Sequence, residues 1–557
     1  MRKQSSVVSF QASASRQSLT RNPWLSAFAV VAFAVVASGQ TVIKKDGKAA
    51  QSVHVFGQNL ITLPSASPLY QIQIMVRTGS ADDQAGKEGT ANLVAKALIE
   101  GGFGDGAKPV TKENLAEITR PWGEAALPRV LVGKETTTFS LTVPRNALSA
   151  FIQSVLRPMF SQPLWTQAEV DRLRREALTE IQSRLRFEDQ ESLGLAAIDN
   201  WVFAGSKYDH VTVGTVKGLG AITREDLAGF YKRYYQRSNM LVATSINDQK
   251  ELSTLMNALP AGDATFMKPR NLMRARIDPG RQVMIITQPN SIATGLHLGF
   301  PIDVTRDSDD YWPLFVGNVY LGTHRDDFGR LYQDLRGNRG YNYGDYSYIE
   351  YLSGRPFFQF PPPTTPRSQQ YFSIWIRPVA PQYTHFLLKA MTAELDRFVK
   401  EGLTSDQVAQ AKIKARTLYL NYAESLSRQL GYRLDDMFYG MKDHGYLQEM
   451  LTRIDAVTPE QVNAAIKNNL QSENLKYIIV TNESLASKLA DDIAAGTNVT
   501  PKTLEEYHIS EPIPADKQAL LQQDEQWKAF ALNIPRDKIQ IVRAADMFES
   551  STTAGEQ

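Results

Sequence analysis

The 557-residue sequence contains no cysteine. Disulfides, thiolate metal sites and cysteine nucleophiles are thereby excluded, and the redox compartment stays open. Histidine is scarce too. The seven are His54, His210, His297, His324, His385, His444 and His508, and no two stand three or four residues apart. A helical pair of imidazole ligands is therefore missing. Neither sign of charge dominates, with 61 Lys and Arg against 59 Asp and Glu. That balance lacks the clustered basic excess of a nucleic-acid-binding chain. Long apolar runs are absent apart from Trp24 to Val36 (WLSAFAVVAFAVV), which is short for a membrane span.

What surrounds that run gives it a meaning. Arg2, Lys3, Arg16 and Arg21 precede it with no acidic residue among them, and Ala37-Ser38-Gly39 follows as a small-residue cleavage point. Residues 1–39 thus read as a secretory signal peptide, which predicts a periplasmic or otherwise exported protein. Attachment to a membrane is expected only if this segment stays uncleaved. The chain as a whole has the 43% hydrophobic and 22% charged residues of a globular protein and enough length for two to four domains.

Both helical and strand periods are present. Leu69 to Val76 (LYQIQIMV) alternates as a half-buried strand does, and Thr136 to Val143 (TTTFSLTV) is rich in β-branched residues. Gly89 to Ile99 carries Leu93, Ala97 and Leu98 at helical spacing. Gln167 to Leu185 predicts a long amphipathic helix with Thr166 as its N-cap. In the second half, Val283 to Thr287, Leu296 to Phe300, Tyr371 to Ile376 and Tyr477 to Thr481 read as strands. Two phrases recur. Leu164 to Val170 (LWTQAEV) is echoed by Gly402 to Val408 (GLTSDQV), and Ile222 to Leu227 (ITREDL) by Val457 to Val462 (VTPEQV). Each opens a helix with a cap and an acidic first turn.

Like elements in like order, offset by about 235 residues, predict a duplicated fold. The expected class is α+β, with two homologous domains that each pack a largely antiparallel sheet against helices. Their expected bounds are 48–262 and 282–497, with a linker at 263–281 and a tail at 498–557. The tail, which carries Pro, Glu and Gln and ends in Ser550 to Gln557, is expected to be disordered. Pro361-Pro362-Pro363 and Thr364-Thr365-Pro366 mark a stiff surface loop.

Two stretches carry a family resemblance. The order of elements, together with Thr78 to Ala91 (TGSADDQAGKEGTA), resembles the approach to the active-site helix in the insulinase/pitrilysin metallopeptidases and the mitochondrial processing peptidase. There an inverted motif, His-x-x-Glu-His, supplies two zinc ligands and a general base from one helical turn. In this chain Asn92, Ala95 and Lys96 hold those three places. Alanine offers no base, and lysine sets a cation where the metal would sit. The family's third ligand, a Glu on the next long helix, falls on Glu180. The resemblance therefore implies no metal and no cofactor in this chain.

The second half keeps more of the family pattern. Phe328 to Tyr343 (FGRLYQDLRGNRGYNY) is similar to the signature of the non-zinc half, where an Arg is followed seven residues later by a Tyr. Arg336 and Tyr343 take those places. In the family this pair reaches across a cavity to hold the substrate peptide and its developing oxyanion, work suited to a fixed guanidinium and a phenol. Gly337 and Gly340 are expected to allow a tight turn from a helix bearing Arg336 to a strand bearing Tyr343. Tyr341-Asn342 departs from the usual Leu-Ala before the Tyr, and Tyr346 offers a competing aromatic. The resemblance implies a non-zinc-binding subunit of a heterodimeric zinc peptidase that degrades peptides or small unfolded proteins. Zinc would then be in a partner bearing His-x-x-Glu-His. The alternative is a catalytically inactive scaffold or peptide-binding protein of the same fold.

Overall fold

Alternating and β-branched segments become two sheets in a computed structural model, which describes residues 59–551 except 101, 271–273, 325, 353–360 and 442–444. The expected signal peptide at 1–39, His54 and His444 lie outside the described residues. The first sheet is built from β1 (Leu60–Thr62), β2 (Leu69–Val76), β3 (Arg129–Val132), β4 (Thr137–Pro144) and β5 (Met240–Thr244), in the order β1-β5-β2-β4-β3. The second contains β6 (Gln282–Gln288), β7 (Thr294–Ile302), β8 (Asp345–Tyr348), β9 (Gln370–Val379), β10 (Lys476–Asn482) and β11 (Ile539–Arg543). Its order is β11-β6-β10-β7-β9-β8.

Without β11, the second sheet repeats the first strand for strand. The β1–β5 and β6–β10 pairs are parallel, and the next three pairs in each sheet are antiparallel. The recurring phrases act as the sequence implies. Thr166 and Thr404 cap the helices Gln167–Thr179 and Ser405–Tyr422. Thr223 and Thr458 form capping boxes on Arg224–Tyr234 and Pro459–Asn469, each satisfying otherwise orphaned backbone donors.

Each half lends a helix to the other half's sheet. Helix Gln190–Val202 lies on the second sheet, where Gly194 sits against His297 and Ile198 against Gly299. Its counterpart in the repeat, Leu426–Tyr439, lies on the first sheet. There Leu430, Leu434, Met437 and Phe438 join Ile61, Met75, Leu241 and Ala243 in one buried cluster. Buried polar links accompany this exchange. The Arg367 guanidinium grips Asp199 at 2.5 and 3.2 Å. The Ser368 amide and hydroxyl donate to Glu135 at 2.6 and 2.9 Å.

Two sequence expectations change. The 361–366 segment is not a free surface loop. Thr136 and Thr138 of the first sheet donate to the Thr364 carbonyl, Asp435 accepts from the Thr364 amide, and Pro363 rests on Gly431. The tail is folded as far as it is described. It forms the helix Ala515–Ala529 and strand β11, then returns to the first half. There Arg186 donates to the Met547 carbonyl, and the Val216 and Lys217 amides donate to the carbonyls of Phe548 and Glu549. Ser551 is buried. The described parts of the linker, 263–270 and 274–281, contain no helix or strand and are held by the Lys268–Asp82 and Arg270–Asp307 ion pairs.

Candidate functional site

Helix Thr90–Glu100 carries the three positions that the resemblance singles out. Asp83 sets its N-terminus by accepting hydrogen bonds from the Gly89 and Ala91 amides, both at 2.7 Å. His210 approaches the same carboxylate at 3.3 Å. Burial pushes the Asp83 pKa up, with the His210 contact opposing it. Burial pulls His210 down, but Asp209 and Asp83 outweigh it and leave the imidazole pKa raised.

Along this helix Asn92 is buried and donates weakly to the Val213 carbonyl at 3.4 Å. Ala95 is fully buried, and Lys96 is half-buried. Glu180 stands where the Gln167–Thr179 helix widens into the π-helical stretch Glu180–Leu185, and it pairs with Arg184 at 3.1 Å. An amide already used on a backbone carbonyl, a methyl, an ammonium and a carboxylate paired along its own helix do not make a zinc donor set. Among the described residues no group of three or more His, Asp or Glu is placed to hold a metal ion.

Arg336 and Tyr343 do come together. Arg336 is on the π-helical stretch Tyr332–Gly337, half-buried, and donates to the Tyr332 hydroxyl. Its guanidinium carbon is 4.9 Å from the Tyr332 ring centre and 5.9 Å from that of Tyr343, within the range of cation–π attraction. The helix ends at Gly340, whose φ of +64° is the left-handed conformation glycine adopts without strain. The Gly340 amide donates to the Arg336 carbonyl at 2.7 Å and the Tyr341 amide to that of Leu335 at 3.1 Å. Gly337 is not in that conformation, so one glycine makes the turn.

Tyr343 is not on a strand, contrary to expectation. It occupies a bend before β8, which begins at Asp345. Asn342 pins the bend by accepting from the Gly344 amide at 3.1 Å and donating to Asp345 at 2.7 Å and to the Arg377 carbonyl at 3.1 Å. As a result the Tyr343 ring is 75% exposed, free to meet a ligand. Tyr346, the competing aromatic, is buried against His324 and Trp375. The Asn-Tyr-Gly triplet is the signal for this bend, since Asn and Gly favour turns over strand interiors.

Asp345 went unnoticed in the sequence. It is fully buried beside this pair, and burial pushes its pKa up to about 8 while Asn342 and Arg336 oppose the rise. The Asp83–His210 contact also escaped notice, because 127 residues separate the partners.

Comparison with known proteins gives this arrangement a context. The peptidase M16 inactive domain matches residues 221–414, a span that includes Arg336 and Tyr343. An uncharacterised zinc protease of Streptomyces coelicolor is 25% identical over 476 residues, covering 82% of this chain and 96% of its own length. A solved peptidase M16 inactive domain from Pseudomonas fluorescens has a TM-score of 0.63 at 20% identity, covering 78% of this chain and 97% of that one. A protease from Helicobacter pylori gives 0.64 at 14%, covering 77% and 98%. The periplasmic protease PqqL from Escherichia coli gives 0.59 at 14%, and covers 87% of this chain but only 50% of PqqL. At these identities the solved structures speak for the fold alone. No helix among the described residues is long and apolar enough to cross a membrane. Residues 221–414 thus match a peptidase M16 inactive domain, and the chain around them has the fold of solved M16 proteins.

Proposed function

We propose that this chain is the non-zinc-binding subunit of a heterodimeric zinc metallopeptidase, exported by its 1–39 signal, that degrades peptides or small unfolded proteins. One observation carries the proposal. The metal positions Asn92, Ala95, Lys96 and Glu180 offer no donor set, whereas Arg336 and Tyr343 remain side by side with the phenol turned to solvent. A same-family partner bearing His-x-x-Glu-His would supply the zinc and the base. This chain would contribute a guanidinium and a hydroxyl as hydrogen-bond donors to a substrate carbonyl as it gains charge. The proposal divides the chain into peptidase-like domains at 48–262 and 282–497, joined by 263–281, with 498–557 as a tail.

A second reading, a catalytically inactive scaffold or peptide-binding protein, is favoured by the existing Arg336–Tyr332 bond, which gives the guanidinium a structural use. Mild capture of the tagged chain from its cell envelope separates the two. A stoichiometric second chain with zinc and chelator-sensitive cleavage of a quenched peptide supports the peptidase. In that complex Arg336→Ala should lower kcat by about 10²–10³ and leave pairing intact, the loss seen when one oxyanion donor is removed. A mutant complex that cleaves at the parental rate refutes the role of Arg336. A chain that elutes alone and inert establishes the scaffold.

A further inference from the structure

The end of the Arg336 helix leaves carbonyls with no partner inside the helix, as every helix end does. The Gly340 and Tyr341 amides take those of Arg336 and Leu335, and the tail takes the carbonyls of the turn just beyond. The Lys502 ammonium donates to the carbonyls of Arg339 and Gly340, both at 2.9 Å. A cation is favourable at the negative end of a helix dipole. The Lys502 amide donates to the Tyr341 hydroxyl at 3.1 Å, and that hydroxyl meets Tyr507 at 3.0 Å.

Arg339 completes the junction. Its buried guanidinium reaches Asp524 at 2.7 Å, Gln523 at 3.0 Å and the Leu520 carbonyl at 3.1 Å, all on helix Ala515–Ala529. It also donates to the Asp334 carbonyl at 2.8 Å and lies 4.1 Å from the Trp527 ring centre. Tyr507 closes the circuit by donating to Asp524 at 2.8 Å. On the loop side these contacts all fall between Asp334 and Tyr341. The bend that aims Tyr343 then begins at Asn342.

We infer that the tail segment 502–527 is a brace that holds the Arg336–Tyr343 loop in register, with Arg339, Lys502 and Asp524 as positioning residues. The tail lies outside the matched 221–414 domain, so the brace reaches the pair from beyond that match. Its importance for turnover rests on the peptidase reading; the brace itself does not. A loop fixed at both ends holds its two donors without ordering them at the moment of reaction, which is the condition for strong electrostatic stabilisation.

Backbone hydrogen exchange on the full-length chain tests this directly. Lys502→Met removes both carbonyl contacts. Exchange of the amides in 335–344 should rise about tenfold or more, while helix Ser405–Tyr422 stays at the parental rate. Lys502→Arg keeps a donor to the carbonyls and should restore parental exchange. If Lys502→Met fails to fold, Tyr507→Phe breaks the Asp524 link more gently and should give the same local rise. Unchanged exchange at 335–344, or a rise spread evenly over the second half, overturns the brace. In the captured complex Lys502→Met should lower kcat with KM within about twofold, and Lys502→Arg should restore it. The exchange result decides the brace whichever way Arg336→Ala behaves, so failure of the peptidase reading and failure of the brace are seen separately.

Discussion

Asp199 is the anion on which two buried cations depend, and its removal gives a sharp test of how the halves are joined. The Arg367 guanidinium binds it at 2.5 and 3.2 Å, and the Lys134 ammonium lies 3.8 Å away. The Arg367 and Lys134 side chains are 3% and 0% exposed. Lys134 also donates to the Tyr208 carbonyl at 2.8 Å and to that of His210. Asp199→Asn keeps the shape but leaves both cations facing one another, and breaking a buried pair in this way costs about 3–5 kcal/mol. Burial has already pulled the Lys134 pKa down to about 8, with Asp199 the main group resisting it. A lysine depressed in the fold is penalised while protonated, so its contribution improves as pH rises from about 8 towards its unfolded value. In Asp199→Asn that rise should begin at lower pH. Urea unfolding, followed by fluorescence and circular dichroism across pH 6 to 10, reads both effects. Lys134→Met supplies the double-mutant cycle. It should cost at least about 1.5 kcal/mol less in the Asp199→Asn background than in the parent, where Lys134 still has its counter-charge. Equal costs in both backgrounds, within about 0.5 kcal/mol, would show that the three charges are independent and refute the argument.

Most of the fold was legible because its signals are local. The strand at Leu69–Val76, buried on both faces from Ile72 on rather than half-buried, and the caps at Thr166, Thr223, Thr404 and Thr458 need only neighbouring residues, and these elements all appear in the structure. The duplication was legible because two such phrases recur in the same order. The tail was not. Its Pro-, Glu- and Gln-rich composition reads as solvated chain, while the residues that fold it find partners far away: Trp527 bonds to Glu394, and Asp524 to Arg339. The 361–366 loop was misread for the same reason, since its partners are on the first sheet and on helix Leu426–Tyr439. At the site, the spacing of Arg336 and Tyr343 was visible but the conformation of Tyr343 was not. The strand expected to bear Tyr343 gave way there to the turn preference of Asn342 and Gly344. Charge inside the protein was the least legible feature, because Asp345, Asp199 and Lys134 look in sequence like ordinary surface residues.

Two further outcomes follow from close packing and from burial. Gly194 faces His297, and a Cβ at that position would overlap its Nε2. Gly194→Ala should therefore lower stability by about 1–3 kcal/mol in urea unfolding, and Gly194→Ala/His297→Ala should recover part of that loss by making room; a double mutant no better than the sum of the singles would contradict the contact. Asp345 gives the second. Its carboxyl is fully buried beside Arg336, and its pKa is raised to about 8 from an ordinary 3.8. A carboxyl raised in the fold binds its proton more tightly there than in the unfolded chain. Its stabilising contribution is complete below about pH 4 and is lost as pH rises through about 8. Asp345→Asn keeps the acceptor that Asn342 uses at 2.7 Å and removes the ionisation. The parent should lose stability relative to Asp345→Asn by up to several kcal/mol between about pH 4 and 8. Parallel stability curves for the two proteins over that range would show that the carboxyl is already ionised beside Arg336, and that the guanidinium outweighs burial at the centre of the proposed site.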